Sequence, residues 1–342
     1  MSESPVSSPP SPGLFFETIN AFQRSAALKA AIELKLFTAL GSGGGPATSA
    51  DLAARCQCPE RGIRILSDSL TIFGFLTKAD GVYSLTPDSA LFLDLTSPAY
   101  LGASVDFMFA PAISDVFNNL SDTIRGGTVH NAAEGTTAAD HPVWIQFART
   151  MGPMMMGPAQ ATAALVPLDP AVPTKVLDIS ASHGVFGIAF AKRTANTHLV
   201  ALDWEAVLAI TEENAIAAGL EGRFSKVIGD AFTVDLGTDY DVVLIPNFLH
   251  HFNVADCTGF LRRVRAALKP GGRVVIVDFV PNDDRISPPP SASFSLVMLG
   301  TTPEGDAYTF TEYDQMLTDA GFKDASFHPL LPTAQSAIIA TA

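Results

Sequence analysis

The second half of the chain alternates short apolar runs with stretches of helical spacing. The apolar runs lie at 175 to 179, 198 to 203, 223 to 229, 240 to 246 and 272 to 280. The helical stretches lie at 185 to 194, 205 to 218, 254 to 268 and 311 to 320. This alternation is typical of a parallel sheet that is covered by helices on both faces. The sequence therefore predicts an α/β domain over residues 171 to 342.

The end of the chain departs from this alternation. Two apolar runs, Ala325 to Leu331 and Ser336 to Ala340, are separated only by Pro332 and a few polar residues. Because so short a link cannot hold a crossover helix, the two runs are expected to pair with each other antiparallel. The sheet is therefore predicted to be parallel, with an antiparallel strand at its C-terminal side.

The first part of the chain has a different pattern. It predicts helices over 14 to 40, 48 to 54 and 59 to 75, followed by a turn and a short strand at 83 to 86. Three helices followed by a small hairpin form a winged helix. The third helix offers only Arg61 and Arg64 against Glu60 and Asp68, and the net charge of the chain is -14. Since nucleic-acid binding depends on clustered Lys and Arg, we expect no nucleic-acid partner, and the apolar helix surface favours packing against another subunit.

Length and composition set the domain organisation. A chain of 342 residues with 47% hydrophobic and 16% charged residues can bury more than one core. We expect a disordered tail over 1 to 12, a winged-helix domain over 13 to 96 and a helical linker over 97 to 170, which precede the α/β domain. No apolar run reaches the roughly 18 residues that span a bilayer, and no secretory signal opens the chain. Three cysteines are too few for a disulfide framework, so we expect a cytoplasmic protein without a membrane partner.

Acidic residues follow three successive strands of the predicted sheet. They are Asp178, ahead of the turn Ser180-Ala181-Ser182-His183-Gly184; Asp203, next to Trp204; and Asp230, in Gly229-Asp230-Ala231-Phe232. The carboxyl ends of parallel strands meet at one edge of the sheet, which is where open α/β sheets bind ligands. An acid at the end of the second strand can accept both hydroxyls of a ribose, so a nucleoside ligand is predicted.

The fourth and fifth strands lead to a histidine pair and a further acid. His250 and His251 follow the fourth strand, and Asp278 ends the fifth. A histidine with a pKa near 6.5 can take the proton of a reacting hydroxyl, and an acid bonded to its ring would fix the tautomer. Either histidine could therefore serve as a general base, with His251 as second choice, and Asp278 could orient the ring; which residue takes each role is given by the resemblance below.

These motifs together resemble the S-adenosylmethionine-dependent class I O-methyltransferase family that carries an N-terminal winged-helix dimerisation domain. The resemblance covers nearly the whole chain beyond the tail. In that family the turn after the first strand reads Asp-x-Gly-x-Gly-x-Gly; Asp178 and Gly184 match it, whereas Ser180 and Ser182 replace two glycines. A side chain forced to positive φ costs roughly 1 kcal/mol, so the two serines are expected to strain the turn. The resemblance implies a Rossmann-like methyltransferase sheet, whose final hairpin distinguishes it from the sheet of NAD-dependent dehydrogenases.

The resemblance also implies a role for each residue of the site. S-adenosylmethionine would be bound by Asp178, Ser180, Ser182, Gly184, Asp203, Trp204, Asp230, Ala231, Phe232 and Asn247. Asp203 would accept from the ribose and Asp230 from the adenine amino group. The family places a general base at the position of His250 and a Glu at that of Asp278. A second family Glu falls at Ala307, and the nearby Glu304 and Asp306 are out of register.

The acceptor would bind under a helix that the family places over its substrate. The candidate acceptor residues are Phe147, Met151, Met154, Met155 and Met156 on that helix, Phe294 and Met298 from the segment after Pro290, and Asn247. Methionine side chains adapt to flat, irregular ligands, although a run of them also serves as ordinary core.

The sequence thus predicts a homodimeric methyltransferase that acts on a hydroxyl of a small aromatic molecule and requires no metal. Three alternatives stay open. One is an enzyme of the same fold that methylates carbon or nitrogen, or that catalyses decarboxylation or hydroxylation. The others are a non-catalytic regulator with a degenerate cofactor turn and an NAD-dependent dehydrogenase.

Overall fold

The computed structural model describes residues 9–130 and 134–342. Along the chain they divide into two compact units, and the boundary lies between Val105 and Asp106. Most of the predicted tail lies outside the described residues. In the two described ranges, no helix combines the length and the apolarity that a membrane crossing requires. The predicted linker over 97 to 170, and the cytoplasmic location, stay predictions.

The first unit is mostly helical and contains a small antiparallel sheet. Its elements are α1 (Gly13–Glu33), α2 (Leu36–Leu40), β1 (Ala47–Thr48), α3 (Ser49–Cys56), α4 (Glu60–Ile72), β2 (Leu76–Ala79), β3 (Val82–Leu85) and α5 (Pro87–Phe92). The strand order is β1-β3-β2, with both pairs antiparallel. Thr48 begins α3 with a capping box that it shares with Asp51. Helices followed by a small hairpin agree with the predicted winged-helix pattern.

One predicted helix of this unit is wrong in its extent. The sequence predicts a single helix over 14 to 40, but α1 ends at Glu33 and α2 begins at Leu36. Lys35 between them has a left-handed backbone with φ of 55°. The break lets Leu36 and Phe37 enter the core of this unit, where both are buried. Apolar spacing continued across the turn, so periodicity alone could not detect it.

The second unit is built around a seven-stranded sheet. Its helices are α6 (Ser104–Met108), α7 (Pro111–Ser114), α8 (Leu120–Gly126), α9 (Val143–Thr150), α10 (Gly152–Leu165), α11 (Val185–Ala191), α12 (Glu205–Ala217), α13 (Val254–Ala267), α14 (Pro289–Ala292), α15 (Phe294–Thr301) and α16 (Phe310–Asp319). Its strands are β4 (Thr174–Ile179), β5 (Thr197–Asp203), β6 (Phe224–Ile228), β7 (Tyr240–Pro246), β8 (Leu268–Asp278), β9 (Lys323–Pro329) and β10 (Ser336–Thr341).

The strand order of this sheet is β6-β5-β4-β7-β8-β10-β9. The first five strands are parallel, whereas β10 lies antiparallel between β8 and β9. The predicted α/β class, parallel with an antiparallel C-terminal strand, is confirmed. Strands β4, β5, β7 and β8 are buried almost throughout, as expected for a sheet that is covered on both faces. Their carboxyl ends lie side by side and form the edge on which the site is built.

Close packing of α11 on the sheet depends on Gly187. A Cβ at this residue would lie 2.5 Å from a methyl carbon of Leu199 and 2.8 Å from Oδ2 of Asp178. The backbone N–H of Gly187 donates to that same oxygen at 2.8 Å. The glycine therefore lets the helix approach β4 and β5 closely enough to satisfy a buried acid.

We predict that Gly187→Ala lowers the free energy of unfolding by about 1–3 kcal/mol, because the added methyl group overpacks this contact. Gly259→Ala is the matched control. Gly259 lies inside α13, and a methyl group added there would meet no atom within 4 Å, so alanine should stabilise by about 0.5–1 kcal/mol. Urea unfolding followed by circular dichroism measures both changes, and equal effects of the two substitutions would contradict the role of Gly187.

Candidate active site

The turn that follows β4 has the strained backbone expected of it. Ser180, Ser182 and Gly184 all have left-handed backbones, with φ of 53°, 52° and 73°. The first two residues carry a side chain, so each costs about 1–2 kcal/mol in backbone conformation. Neighbouring groups hold the turn: the N–H of Ser182 donates to Oδ2 of Asp203 at 2.9 Å, and the Thr211 hydroxyl donates to the Ser182 carbonyl at 2.5 Å. The serines thus adopt the conformation for which the family pattern has glycine.

Two buried acids flank this turn. Asp178 is fully buried at the end of β4, and its Oδ1 has no hydrogen-bond partner in the described residues. Asp203 ends β5 and accepts from the backbone N–H groups of Ser182 and Trp204. Burial, reinforced by the charge of Asp203, raises the pKa of Asp178 from 3.8 to about 8. Burial likewise raises the pKa of Asp203 to about 6. A positive charge placed beside these acids would lower both pKa values, because it favours the charged form of a carboxylate.

His183 links the turn to helix α9. Its Nδ1 accepts from the N–H of Val185 at 3.3 Å, so its own N–H lies on Nε2, which is buried without a partner in the described residues. Burial lowers the pKa of His183 to about 4, which keeps the ring neutral. The ring stacks on Phe147 with centroids 5.7 Å apart. The turn that follows β4 is therefore in direct contact with helix α9, which carries the predicted acceptor residue Phe147.

The residues predicted to hold an adenosine lie at the ends of β5 and β6. Oδ1 of Asp230 accepts from the N–H of Phe232 at 2.9 Å, as in an ordinary turn. Ala231 is buried, and Phe232 packs in a cluster of phenylalanine rings. That cluster contains Phe248, Phe252 and Phe260. Trp204 packs on α12, beside residues of α9.

His250 and Asp278 are brought together by the parallel strands β7 and β8. Asn247 follows β7 with φ of 51°, and its N–H donates to the Val277 carbonyl at 2.8 Å. The chain then forms a short 3-10 helix over Leu249–His251. Nδ1 of His250 lies 2.5 Å from Oδ1 of Asp278, and both side chains are buried. Nε2 of His250 has no hydrogen bond to another described residue, so one ring nitrogen faces the acid and the other stays available.

Aromatic rings surround His250. The ring of Phe294 lies edge-on at 4.9 Å and stacks on Phe279 at 4.1 Å. The second histidine, His251, lies 4.2 Å from the His250 ring and bonds the Phe248 carbonyl through Nδ1 at 3.1 Å. Burial and the neighbouring His250 lower the pKa of His251 well below its ordinary value. Of the two, His250 is the one that is paired with a carboxylate.

The acids that lie out of register make other contacts. Glu304 accepts from the Asn253 side chain, and Asp306 accepts from Arg285 at 3.1 Å. Ala307, at the position of the second family Glu, is fully buried and offers no polar group. Nearby, the backbone of Gly305 packs closely on the main chain of His250, since a Cβ at Gly305 would lie 2.3 Å from the His250 carbonyl oxygen. Asp278 is thus the carboxylate that contacts His250.

Most of the predicted acceptor residues are buried near one another. Met151 and Met155 lie in one apolar cluster, with Phe147 and Met154 packed against it. Met298 is also buried, whereas Met156 is 45% exposed on α10 and does not join them. The Asn247 amide contacts Met155 Sδ at 3.7 Å, and its oxygen accepts from Gln335. Asn247 therefore already has protein partners at both ends of its side chain.

Some residues of the site carry no motif in the sequence. Tyr313 donates its hydroxyl to Oδ2 of Asp278 at 2.7 Å, and Trp144 lies edge-on to His251 at 5.2 Å. Gln335 binds Asn247 from the chain that precedes β10. The apolar face of α16 predicts that Tyr313 is buried, but only the packed helix reveals its acid partner.

The raised pKa of Asp178 predicts how stability changes with pH. The folded protein holds this proton more tightly than the unfolded chain, so the contribution of Asp178 is fully present below about pH 4 and is lost as pH rises toward 8. The neutral rings of His183 and His251 oppose this loss up to their ordinary pKa of 6.5, so we expect the unliganded protein to lose thermal stability between pH 6.5 and pH 8, and Asp178→Asn to make that loss smaller. Melting temperatures across this range measure both slopes.

Asp284→Asn serves as the control for this experiment. Asp284 is exposed, and hydrogen bonds led by that of the Ser287 side chain lower its pKa below 3.8. Its titration is therefore complete below the range tested, and the slope should stay that of the unsubstituted protein. If melting temperature changed equally with pH in the unsubstituted protein, Asp178→Asn and Asp284→Asn, Asp178 would be ionised across the whole pH range tested.

Comparison with known proteins identifies the family. An O-methyltransferase domain matches residues 118–323, and an O-methyltransferase dimerisation domain matches residues 16–94. A Streptomyces glaucescens protein, the tetracenomycin polyketide synthesis 8-O-methyl transferase TcmO, is 29% identical over 319 residues, covering 92% of each chain. A crystal structure of a candidate O-methyltransferase from Nostoc punctiforme superposes with a TM-score of 0.93 at 50% identity, covering 98% of this chain and 100% of that one.

Human N-acetylserotonin methyltransferase, crystallised with S-adenosylmethionine, has a TM-score of 0.82 and covers 99% of each chain. At 23% identity it shows the fold alone. The family expected from the sequence, its fold and its cofactor are confirmed at the level of the family. The protein is thus a member of the S-adenosylmethionine-dependent O-methyltransferase family, with the family's dimerisation domain ahead of its catalytic domain.

Proposed function

We propose that the protein transfers a methyl group from S-adenosylmethionine to a hydroxyl of a small aromatic molecule, with His250 as the general base. The observation that carries the proposal is the buried contact of 2.5 Å between His250 and Asp278. It lies at the same sheet edge as Asp178 and Asp203. A base therefore stands beside a turn that is suited to a charged nucleoside.

The turn after β4 fits the methyl donor. The unpartnered Oδ1 of Asp178 is suited to an ammonium group, and the buried hydroxyl of Ser182 also lacks a partner in the described residues. Asp203 would hold the ribose, and Asp230 and Phe232 the adenine. When bound, S-adenosylmethionine supplies a methyl carbon on a positively charged sulfur. The raised pKa values of Asp178 and Asp203 are consistent with a site that receives positive charge.

The protein's part in the chemistry concerns one proton. A phenol has a pKa near 10, so its hydroxyl is a poor nucleophile until a base takes the proton. Nε2 of His250 would accept that proton, while Nδ1–H donates to Oδ1 of Asp278. The carboxylate fixes this tautomer and stabilises the imidazolium that forms. The aspartate reaches the ring directly, although the family pattern has the longer glutamate here.

The surroundings of His250 favour an aromatic acceptor. Phe294 lies edge-on to the base, and Phe147, Met151 and Met155 supply an apolar wall on the side of α9 and α10. Flat rings pack well on phenylalanine and methionine side chains. The similar Streptomyces glaucescens protein TcmO is an 8-O-methyl transferase of polyketide synthesis, which supports transfer to a hydroxyl group.

We predict that His250→Ala lowers the rate of methyl transfer about 10²–10⁴-fold, which is the usual contribution of a positioned base. The assay uses radiolabelled S-adenosylmethionine with a panel of simple phenols and naphthols. Binding of S-adenosylhomocysteine, followed by calorimetry, should stay within a few-fold of the unsubstituted protein.

His328→Ala is the control, since His328 lies on β9 and bonds Ser326. It should transfer methyl groups at the original rate. Near-normal turnover of His250→Ala would reject base catalysis. Absence of S-adenosylhomocysteine binding to the unsubstituted protein would instead favour a non-catalytic regulator.

We further propose that the protein works as a homodimer through α1. Five large apolar side chains at the start of this helix are each at least 57% exposed. They are Leu14, Phe15, Phe16, Ile19 and Phe22. A contiguous apolar surface of this kind marks an interaction site, and the match to the dimerisation domain supports a second copy of the chain as its partner.

Replacing Phe15 and Phe22 together by Asp should convert the dimer to a monomer, because two charges would enter an apolar interface. Light scattering coupled to gel filtration measures the mass. Leu331→Asp, at a residue 82% exposed in the loop before β10, should leave the mass unchanged. A dimer that survives the double substitution would place the interface elsewhere.

A further inference from the structure

The two oxygens of the Asp278 carboxylate bond to different groups. Its Oδ1 faces His250 at 2.5 Å and also accepts from the N–H of Phe279 at 2.8 Å. Its Oδ2 accepts from Tyr313 at 2.7 Å. Both oxygens are therefore engaged, and rotation of the carboxylate away from His250 would break bonds on both sides.

Tyr313 is itself held rigidly in the core. It lies on α16, which begins with a capping box between Thr309 and Glu312. Its ring is fully buried and lies edge-on to Tyr308 at 5.9 Å. Burial, together with the charge of Asp278, raises the pKa of Tyr313 well above its ordinary value. The phenol keeps its proton, and it can only donate to the acid.

We infer that Tyr313 is a positioning residue for His250, which acts by holding the carboxylate of Asp278 turned toward Nδ1. A donated hydrogen bond favours the charged form of a carboxylate, and a charged Asp278 stabilises His250 in its protonated form. Ala307, at the position of the second family Glu, has no polar side-chain group, and the side chain that donates to Oδ2 of Asp278 is that of Tyr313. This inference rests on the proposed role of His250 as the base.

Few other groups near the pair can change charge at ordinary pH. The titratable groups that face it are His251 from the same 3-10 helix, Cys257 from α13, and Tyr308 and Tyr313 from the side of α16. Burial raises the pKa of Cys257 and of Tyr308, so both stay neutral. The low pKa of His251 keeps it neutral as well. A change in the titration of His250 therefore reports on Asp278.

The test is Tyr313→Phe, which removes the hydroxyl and keeps the ring. Tyr308→Phe is the matched control, because its hydroxyl is also buried but donates to the Phe252 carbonyl at 2.6 Å. Nitrogen NMR of labelled histidine in the unliganded protein measures the pKa of His250, assigned with His250→Ala. We expect Tyr313→Phe to lower that pKa by about one unit and Tyr308→Phe to leave it unchanged.

A second readout is kinetic. In Tyr313→Phe, kcat should fall about 10-fold, while the dissociation constant of S-adenosylhomocysteine stays unchanged. In an Asp278→Asn background the same substitution should have no further effect on the His250 pKa. Should Tyr313→Phe not fold, Tyr313→Leu, which also removes the hydroxyl that donates to Asp278, replaces it, and the same fall in the His250 pKa is expected.

An unchanged His250 pKa in Tyr313→Phe, or an equal shift in Tyr308→Phe, overturns the inference. The NMR measurement needs no turnover. A protein that shows the shift in His250 but transfers no methyl group would therefore contradict the proposed function while supporting the positioning by Tyr313.

Discussion

The parallel pairing of β7 with β8 is the constraint on which the site depends. It places the chain after Pro246 beside Val277, and the N–H of Asn247 bonds the Val277 carbonyl. The next turn of chain then delivers His250 to the acid that ends β8. A slip of the pairing by one residue would turn Asp278 to the other face of the sheet. Hydrogen bonds between two backbones thus determine a contact between two side chains.

The two halves of the site, one at the ends of β4 and β5 and the other at the ends of β7 and β8, are lined by different kinds of groups. On the β4 and β5 side, backbone N–H groups and acids surround a strained turn that includes Ser180 and Ser182. On the β7 and β8 side, aromatic rings surround the pair of His250 and Asp278, and Tyr313 donates to the acid. Stacking of His183 on Phe147 connects the two halves. Strain in the turn is tolerated because Asp203 and Thr211 both bond to it.

Much of this arrangement could be predicted from the sequence. Short apolar runs indicated the strands, and the acids at their ends were predicted to meet at one edge of the sheet, because parallel strands bring their carboxyl ends together. Periodicity failed at Lys35, where a turn interrupts a continuous apolar pattern. It also could not find Tyr313 or Gln335, whose partners lie far away in the chain. Contacts of that kind depend on how helices and loops pack on the sheet, and local spacing does not encode them.

The antiparallel insertion of β10 has a consequence for the order in which the molecule is assembled. Ser336 of β10 pairs with Asp278 of β8, although the two residues are far apart in the chain. Until β10 docks, β8 is an unprotected edge of the sheet, with its backbone groups unpaired on that side. Pairing between segments so far apart requires that the intervening chain be closed into a loop, which costs conformational entropy. The strand that carries the acid is therefore completed only when the last hairpin of the fold has formed, so partly folded chains have no finished site.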